Sequence, residues 1–483
     1  MKKTSFVIML TLLLMGTLAL AFSIQQVKAG ITIVPDDYPT IQEAINRASE
    51  GYTIYVRAGT YYENVVVDKK ISLIGESRED TIIDGRNITN TILVTANDVV
   101  INGFTVTNSN NVYPNSGIFL DNVKNSRITG NNVSGNNGHG IFVMWGSGNS
   151  ILDNLVTHND QPGIRIDGLE AHALVAYNTI EFNQPDGIFL YIARDILIEK
   201  NFISNNKQCG ITPQGGSQNI TIRDNLIERN GWHGVFFYAS NNSLVEANVL
   251  SENGFGGSPD WVLAGIDLHD YSNNNIIKEN KILGNKYGVA LVNSNNTAVY
   301  HNNLSNNVNQ TWLDRANNTV WDDGYPSGGN YWNDYTGIDL YSGPYQNKTG
   351  EDGIGDTPYT IDVGNTDRYT LTKPYTPQRI LVYTDKYSYL IGDQMQLGLH
   401  VINLEDPLKV CVKIWVELPG GSIYEVFHVH DVTLPAGVDY NNPSFRTFTL
   451  PNITPGIYAW HATLLNPATH ETIVEDTAKW QFS

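Results

Sequence analysis

An aspartate and a histidine, one residue apart, stand in the stretch Gly265-Ile-Asp-Leu-His-Asp270. Successive side chains of a strand point to opposite faces, so Asp267 and His269 share one face while Ile266 and Leu268 share the other. The preceding unit, Gly234-Val-Phe-Phe-Tyr238, ends in Tyr238 and is preceded by His233. Counted from the glycine of each such strand, positions −1, +2 and +4 read as the outer face. Over the neighbouring units these positions also collect His139, Arg165, Asp167, Asp186 and Tyr191, with Trp145 and Trp232 beside them. Carboxylates bind hydroxyl groups, a guanidinium binds a carboxylate in two-pronged fashion, and aromatic faces stack on the C–H faces of sugar rings. A straight file of such groups suits an extended polysaccharide or a cell-surface glycan. Asp267, His269, His233 and Tyr238 are the densest part of the file. Arg165, Asp167, Asp186, Tyr191, His139 and Trp145 are the further contact candidates.

The element that positions them repeats. Its glycine occurs at 117, 140, 163, 187, 210, 234, 265 and 288, with steps of 23, 23, 24, 23, 24, 31 and 23 residues. A period in this range marks a solenoid, and the short alternating apolar runs read as strands. The glycine reads as the turn that opens each strand. Each unit also carries an asparagine in a second strand (Asn131, Asn154, Asn178, Asn201, Asn225, Asn248, Asn280, Asn302) and another five residues later. Stacked copies of one amide can donate to the next coil and accept from the previous one, which satisfies polar groups at a buried corner. The fold class expected is all-β, a right-handed parallel β-helix over residues 30–312. Pro39 to Ala48 has helical spacing, with Ile41, Ala44, Ile45 and Ala48 on one face, and serves as an N-terminal cap for the open end. Residues 313–376 are aromatic and turn-rich and read as a C-terminal cap. Residues 377–483 show seven alternating strands and read as an immunoglobulin-like β-sandwich. The longest step contains the insertion Gly254 to Trp261, placed to border the file.

Residues 1–29 read as a signal peptide. Lys2 and Lys3 precede an apolar run from Phe6 to Phe22, and Val27-Lys28-Ala29 supplies small or apolar residues at a cleavage site. The rest is expected to be secreted, periplasmic or at the cell surface, with membrane contact only through this segment if it is retained. The formal charge of −19 argues against nucleic acid as a partner. Cys209 and Cys411 fall in different domains, so no disulfide is expected. Asp352-Gly-Ile-Gly-Asp356, with Asp334 and Asp339, offers carboxylates in a glycine-rich loop, as calcium requires. Copper is disfavoured on residue grounds, because His428-Val-His430 is a single alternating pair rather than a cluster of soft ligands.

Three resemblances follow from particular stretches. Pro39-Thr-Ile-Gln-Glu-Ala-Ile-Asn46 and Ile54-Tyr-Val-Arg-Ala-Gly-Thr-Tyr-Tyr-Glu-Asn-Val65 are similar to the N-terminal cap and first turn of the pectin-lyase-like β-helix superfamily, the carbohydrate-binding and sugar-hydrolysis repeats. Gly329-Asn-Tyr-Trp-Asn-Asp-Tyr335 and Asp352-Gly-Ile-Gly-Asp-Thr-Pro-Tyr359 resemble the tail of the NosD-like β-helix family. Asp267-Leu-His-Asp270 is similar to the motif of β-helical mannuronan C5-epimerases. That resemblance implies proton abstraction beside a uronate carboxylate, with His269 or His233 as base, Tyr238 as acid and Arg165 on a substrate carboxylate. Ala264 stands where that family has a tyrosine, and the next coil has no acidic partner at +2 or +4. The leading expectation is therefore glycan binding. A polyuronate epimerase or lyase is the first alternative, and a structural or adhesive surface protein the second.

Overall fold

The computed structural model describes residues 30–257, 262–375, 379–385, 388–403 and 407–482. The expected signal segment, residues 1–29, and the end of the insertion, residues 258–261, lie outside the described residues. Among the described residues no helix is long and apolar enough to cross a membrane. Contacts divide the chain into two compact units, Met1–Lys373 and Pro374–Ser483.

The first unit is a right-handed parallel β-helix of three sheets. Sheet I has 12 strands, from Ile31–Val34 to Ala298–Tyr300. Sheet II has 11, from Val65–Val67 to Asn309–Asp314, and sheet III has 12, from Gly59–Tyr61 to Tyr331–Trp332. Each coil adds one strand to each sheet, and the register steps by one repeat: Ile118 pairs with Ile141, Ile141 with Ile164, and Ile164 with Ile188. The inward positions are Ile, Val and Leu in nearly every coil, and they form one continuous buried core. Burying such a side chain is worth about 1.5–3 kcal/mol. No coil could bury its own apolar face alone, so stability comes from stacking.

The repeated glycine is required for space rather than for a turn. None of the eight has a positive φ. A Cβ on Gly140 would stand 2.5 Å from the Gly163 carbonyl oxygen and 2.9 Å from the Asn159 amide nitrogen. The expectation of a turn glycine is corrected accordingly. The residue opens an extended strand exactly where the asparagine file presses against it.

Two asparagine ladders run up the stack as expected. The Nδ2 of Asn131, Asn154, Asn178 and Asn201 donates to the Oδ1 of the next copy at 3.0–3.1 Å. The second file does the same from Asn136 through Asn159, Asn183 and Asn206. Each Oδ1 also accepts the backbone N–H of the preceding coil's asparagine, as in Asn154 N to Asn178 Oδ1 at 2.9 Å. The residue before each ladder asparagine is left-handed, for example Asp153, Tyr177 and Lys200 at φ 52–60°. Such a conformation costs about 1–2 kcal/mol for a non-glycine residue. The satisfied amide offsets that cost at each corner.

The ends are closed. The helix Ile41–Arg47 has Thr40 as N-cap, whose Oγ1 accepts from Glu43 N. Glu63 accepts from the N–H groups of Ile41 and Gln42, and Lys69 donates to the carbonyls of Ile45, Asn46 and Ala48. Opposite charges thus sit at the two ends of the helix dipole. At the far end Trp321 and Trp332 are buried, and Trp332 stacks on Tyr359. There the first ladder continues to Asn330, whose N–H donates to Asp367 Oδ2 at 2.7 Å. Burial pushes the Asp367 carboxyl up to about 7.

The second unit is a β-sandwich of a three-stranded and a five-stranded sheet. Its core holds Tyr389, Tyr458, Trp460 and Trp480. The short strand Ser388–Tyr389 adds one to the seven strands expected.

Candidate functional site

Sheet II carries the file singled out above. Its register makes columns. At +4, Asp121 pairs with Met144, Met144 with Asp167, Asp167 with Tyr191, Tyr191 with Gln214, Gln214 with Tyr238, and Tyr238 with His269. At +2 the column includes Phe119, Phe142, Arg165 and Phe189, then Phe236 and Asp267.

The columns, expected on or near the outer face, differ in access. The −1 residues His139, Asp186, Cys209 and His233 are buried, as are Phe119, Phe142, Thr212 and Asp267 at +2. They lie outside the aliphatic core yet out of water. Part of the reason is the loop before strand Ser116–Asp121. It lays Tyr113 against Phe142 and His139, with ring centroids 5.9 and 6.4 Å away, while Phe119 and His139 pack on Phe142 at 5.3 and 5.0 Å. At +4, Asp167 is buried too, whereas Asp121, Met144, Tyr191, Gln214, Tyr238 and His269 keep part of their surface open. Trp145 is 53% exposed, and Tyr191 is exposed as well.

Of the expected contact residues, Arg165 and Asp167 are joined to each other. Arg165 Nη2 lies 2.8 Å from Asp167 Oδ2 and Nε 2.9 Å from Oδ1. The guanidinium also sits over the rings of Tyr113, Phe142 and Phe189 at 5.0–5.2 Å. Burial raises the Asp167 carboxyl, and the Arg165 contact opposes that rise. The Arg165 charge is thus already answered, and Tyr113, which carries no repeat signal in the sequence, supplies one of its walls. Beside it, burial and the Arg165 charge lower His139 to about 3. Asp186 accepts the Cys209 N–H at 2.9 Å, and burial pushes it up to about 6.

The other four expected residues come together. Asp267 Oδ2 is 3.7 Å from His269 Nδ1 and 3.7 Å from His233 Nδ1. The two approaches are chemically different. The Ala264 N–H points at His233 Nδ1 at 3.2 Å, so that nitrogen is an acceptor and the neutral ring carries its proton on Nε2. Burial lowers His233 to about 4, and its ring stacks on Phe236 at 4.7 Å. His233 therefore forms no ion pair with Asp267. His269 does the opposite: the Asp267 carboxylate beside its Nδ1, against a smaller desolvation effect, holds its pKa above the ordinary value. Its side chain is 21% exposed, against 1% for His233 and 2% for Asp267. Tyr238 stacks parallel to the His269 ring, 15° between planes and 6.1 Å between centroids. Asp267 Oδ1 and His233 Nε2 are buried with no hydrogen-bond partner among the described residues. The arrangement is a surface imidazole backed by a buried carboxylate, with two polar atoms left over behind it. Chemically it can hold a proton at His269 and present it to a bound group.

The carboxylates expected to bind calcium hold their own loop. Asp339 accepts from the N–H groups of Asp352 and Gly353, and Asp356 accepts from those of Leu340 and Tyr341. Asp352 accepts from Gly343 N and Gln346 Nε2, and Asp334 from the Tyr359 hydroxyl. Among the described residues no group of three or more His, Cys, Asp or Glu is arranged to hold a metal ion. In the sandwich, the His428 and His430 rings lie 4.1 Å apart and the Cys411 sulfur 3.6 Å from His430 Nδ1.

Residues 170–342 match the family model described as a right handed beta helix region, and residues 23–255 match that of the periplasmic copper-binding protein NosD. No curated protein matches the sequence. Among solved structures the chain is similar to the A-module of the Azotobacter vinelandii mannuronan C-5 epimerase AlgE4, at 17% identity over 60% of this chain and 96% of that one, with a TM-score of 0.47. The A-module of epimerase AlgE6 from the same organism matches at 17% identity over 58% and 92%, with a TM-score of 0.45. The DFA-IIIase of Arthrobacter chlorophenolicus A6 matches at 14% identity over 62% and 87%, with a TM-score of 0.46.

Proposed function

We propose that the open edge of sheet II binds an extended polysaccharide outside the cytoplasm, with the Asp267–His269 pair at one point along the track. The observation that carries this reading is the in-register +4 column. Met144, Asp167, Tyr191, Gln214, Tyr238 and His269 stand on six successive coils, flanked by the exposed Trp145. Successive coils are about 4.8 Å apart, so the column offers a linear polymer contacts on five of these six coils, Asp167 being buried and held by Arg165. Aromatic faces supply stacking area at little entropic cost, and the polar groups between them fix orientation.

Polyuronate epimerase or lyase chemistry at the same point needs, besides a base such as His269, a cation beside the reacting carboxylate. The flanking guanidiniums are Arg165, four coils back, and Arg315, two coils on, and each holds an aspartate of its own. Binding is therefore the reading that the geometry supports best.

The test is retention on a panel of immobilised or insoluble polysaccharides, with turnover followed in parallel. Trp145→Ala and Tyr191→Ala, singly and together, should weaken retention about tenfold or more for the pair while leaving the fold intact. Full retention by the double variant would remove the track. An unsaturated product or altered uronate stereochemistry that survives in His269→Ala would remove the site assignment.

A further inference from the structure

We infer that the glycan on this track carries no carboxylates: its sugars are neutral or amino-bearing, and polyuronates are poor ligands. The inference rests on the polysaccharide reading above and adds the chemical class of the ligand.

The ground is the charge of the track itself. From strand Ser116–Asp121 to strand Asn309–Asp314, the +2 and +4 columns and the residue just past them carry five carboxylates: Asp121, Asp167, Asp267, Asp270 and Asp314. The same positions carry two guanidiniums. Arg165 is locked to Asp167 at 2.8 Å and Arg315 to Asp314 at 3.0 Å. The Arg165 and Asp167 side chains are also mostly buried, so a ligand would have to break a shielded, bidentate pair to recruit that charge. His269 can be cationic, but it lies between Asp267 at 3.7 Å and Asp270 at 4.0 Å, which together outweigh it.

Other cations lie off the track. Lys124 and Arg194 come after the left-handed corner residues Asn122 and Ile192, where the chain turns toward sheet I, and Arg194 opens a strand of that sheet. Lys207 and Lys286 precede their strands at the opposite edge, and the Lys207 ammonium already donates to Gln184. Five residues of strand, roughly 16 Å, separate that edge from the +4 column. A polyuronate brings a carboxylate on every sugar and would find carboxylates on four of the nine coils, at Asp121, Asp167, Asp267 with Asp270, and Asp314, with both guanidiniums already paired, which disfavours binding there. Hydroxyl groups would meet carboxylate acceptors, and ammonium groups would meet charge partners. Asp267 Oδ1, buried behind His269 without a partner among the described residues, is a further acceptor and would repel an anion.

The experiment compares five polymers in four arms under one condition, low salt with a chelator present: a neutral glucan, a neutral mannan, a deacetylated amino glycan, and alginate with polygalacturonate as the carboxylated arm. Retention of a neutral or amino polymer about tenfold or more above the carboxylated arm supports the inference. The reverse order overturns it while leaving glycan binding in place. Retention of none of the polymers overturns the binding reading and the inference with it. The double variant Asp121→Lys, Asp314→Asn reverses one charge and frees Arg315. It should raise retention of the carboxylated arm several-fold, with the fold checked by circular dichroism. An unchanged ratio in that variant would show that track charge does not select the ligand.

Discussion

The asparagine ladders and the Asp267 centre are both files of buried polar side chains on one solenoid, yet they are satisfied to different degrees. In the ladder, Asn178 donates to the Asn201 side chain and to two carbonyls, and its oxygen accepts two N–H groups from Asn154. Behind His269, one oxygen of Asp267 and one nitrogen of His233 have no partner among the described residues. Buried polar groups are paired almost everywhere in folded proteins, so the exceptions point to groups held for something other than the fold. Ladder polarity serves the stack, whereas the polarity of the Asp267 centre is left available at its edge.

The largest effect should come from breaking the satisfied side. Asn178→Leu strips an acceptor from Asn154 and leaves several backbone groups unpaired, and should cost about 4 kcal/mol in denaturant unfolding of the β-helix. A loss under about 1 kcal/mol would mean that the stack does not depend on its ladder.

Asp186 comes next, because it is buried with little to stabilise its charge. Its folded pKa of about 6 is above the unfolded value near 3.8. The associated stability is therefore fully present at low pH and is lost as pH rises through 6. Asp186→Asn keeps an acceptor for the Cys209 N–H and should stabilise the protein by about 2–3 kcal/mol at pH 7, with no gain near pH 4. An equal effect at both pH values would deny the buried proton.

Asp267→Asn should leave stability within about 1 kcal/mol, since one of its oxygens holds no bond to lose. Its consequence should instead appear at His269. The raised pKa of His269 means that the pair's contribution is fully present below the unfolded histidine value near 6.5 and fades as pH rises through the folded value. The variant should bring the His269 titration, followed by NMR, back toward that value. An unmoved titration would separate the two residues. The smallest effect is expected at the loop of Asp339 and Asp356, whose carboxylates already hold backbone N–H groups. Added calcium should leave its melting temperature unchanged, and a clear rise would give those carboxylates a cation.

Legibility followed the same divide. The ladders could be read because one amide recurs at one place in every coil. Their termination by Asp367 could not, because it lies 37 residues beyond Asn330 and outside any repeat. The glycine was visible as a period but misread as a turn, since close approach of the next coil leaves no mark in one strand's residues. Asp267, His269, His233 and Tyr238 could be grouped by register alone. Their division into surface and buried members could not be read from it.

The amino-acid sequence by itself determined the coil, its inward apolar face, the ladders and the columns of sheet II. All of these follow from alternation within a strand and from a fixed period between coils. Only the tertiary structure decided which outward columns meet water, that Arg165 is spent on Asp167, and that His233 turns its acceptor nitrogen to Ala264. Those outcomes depend on loops such as the one carrying Tyr113, and on contacts between coils, whose geometry no local pattern encodes.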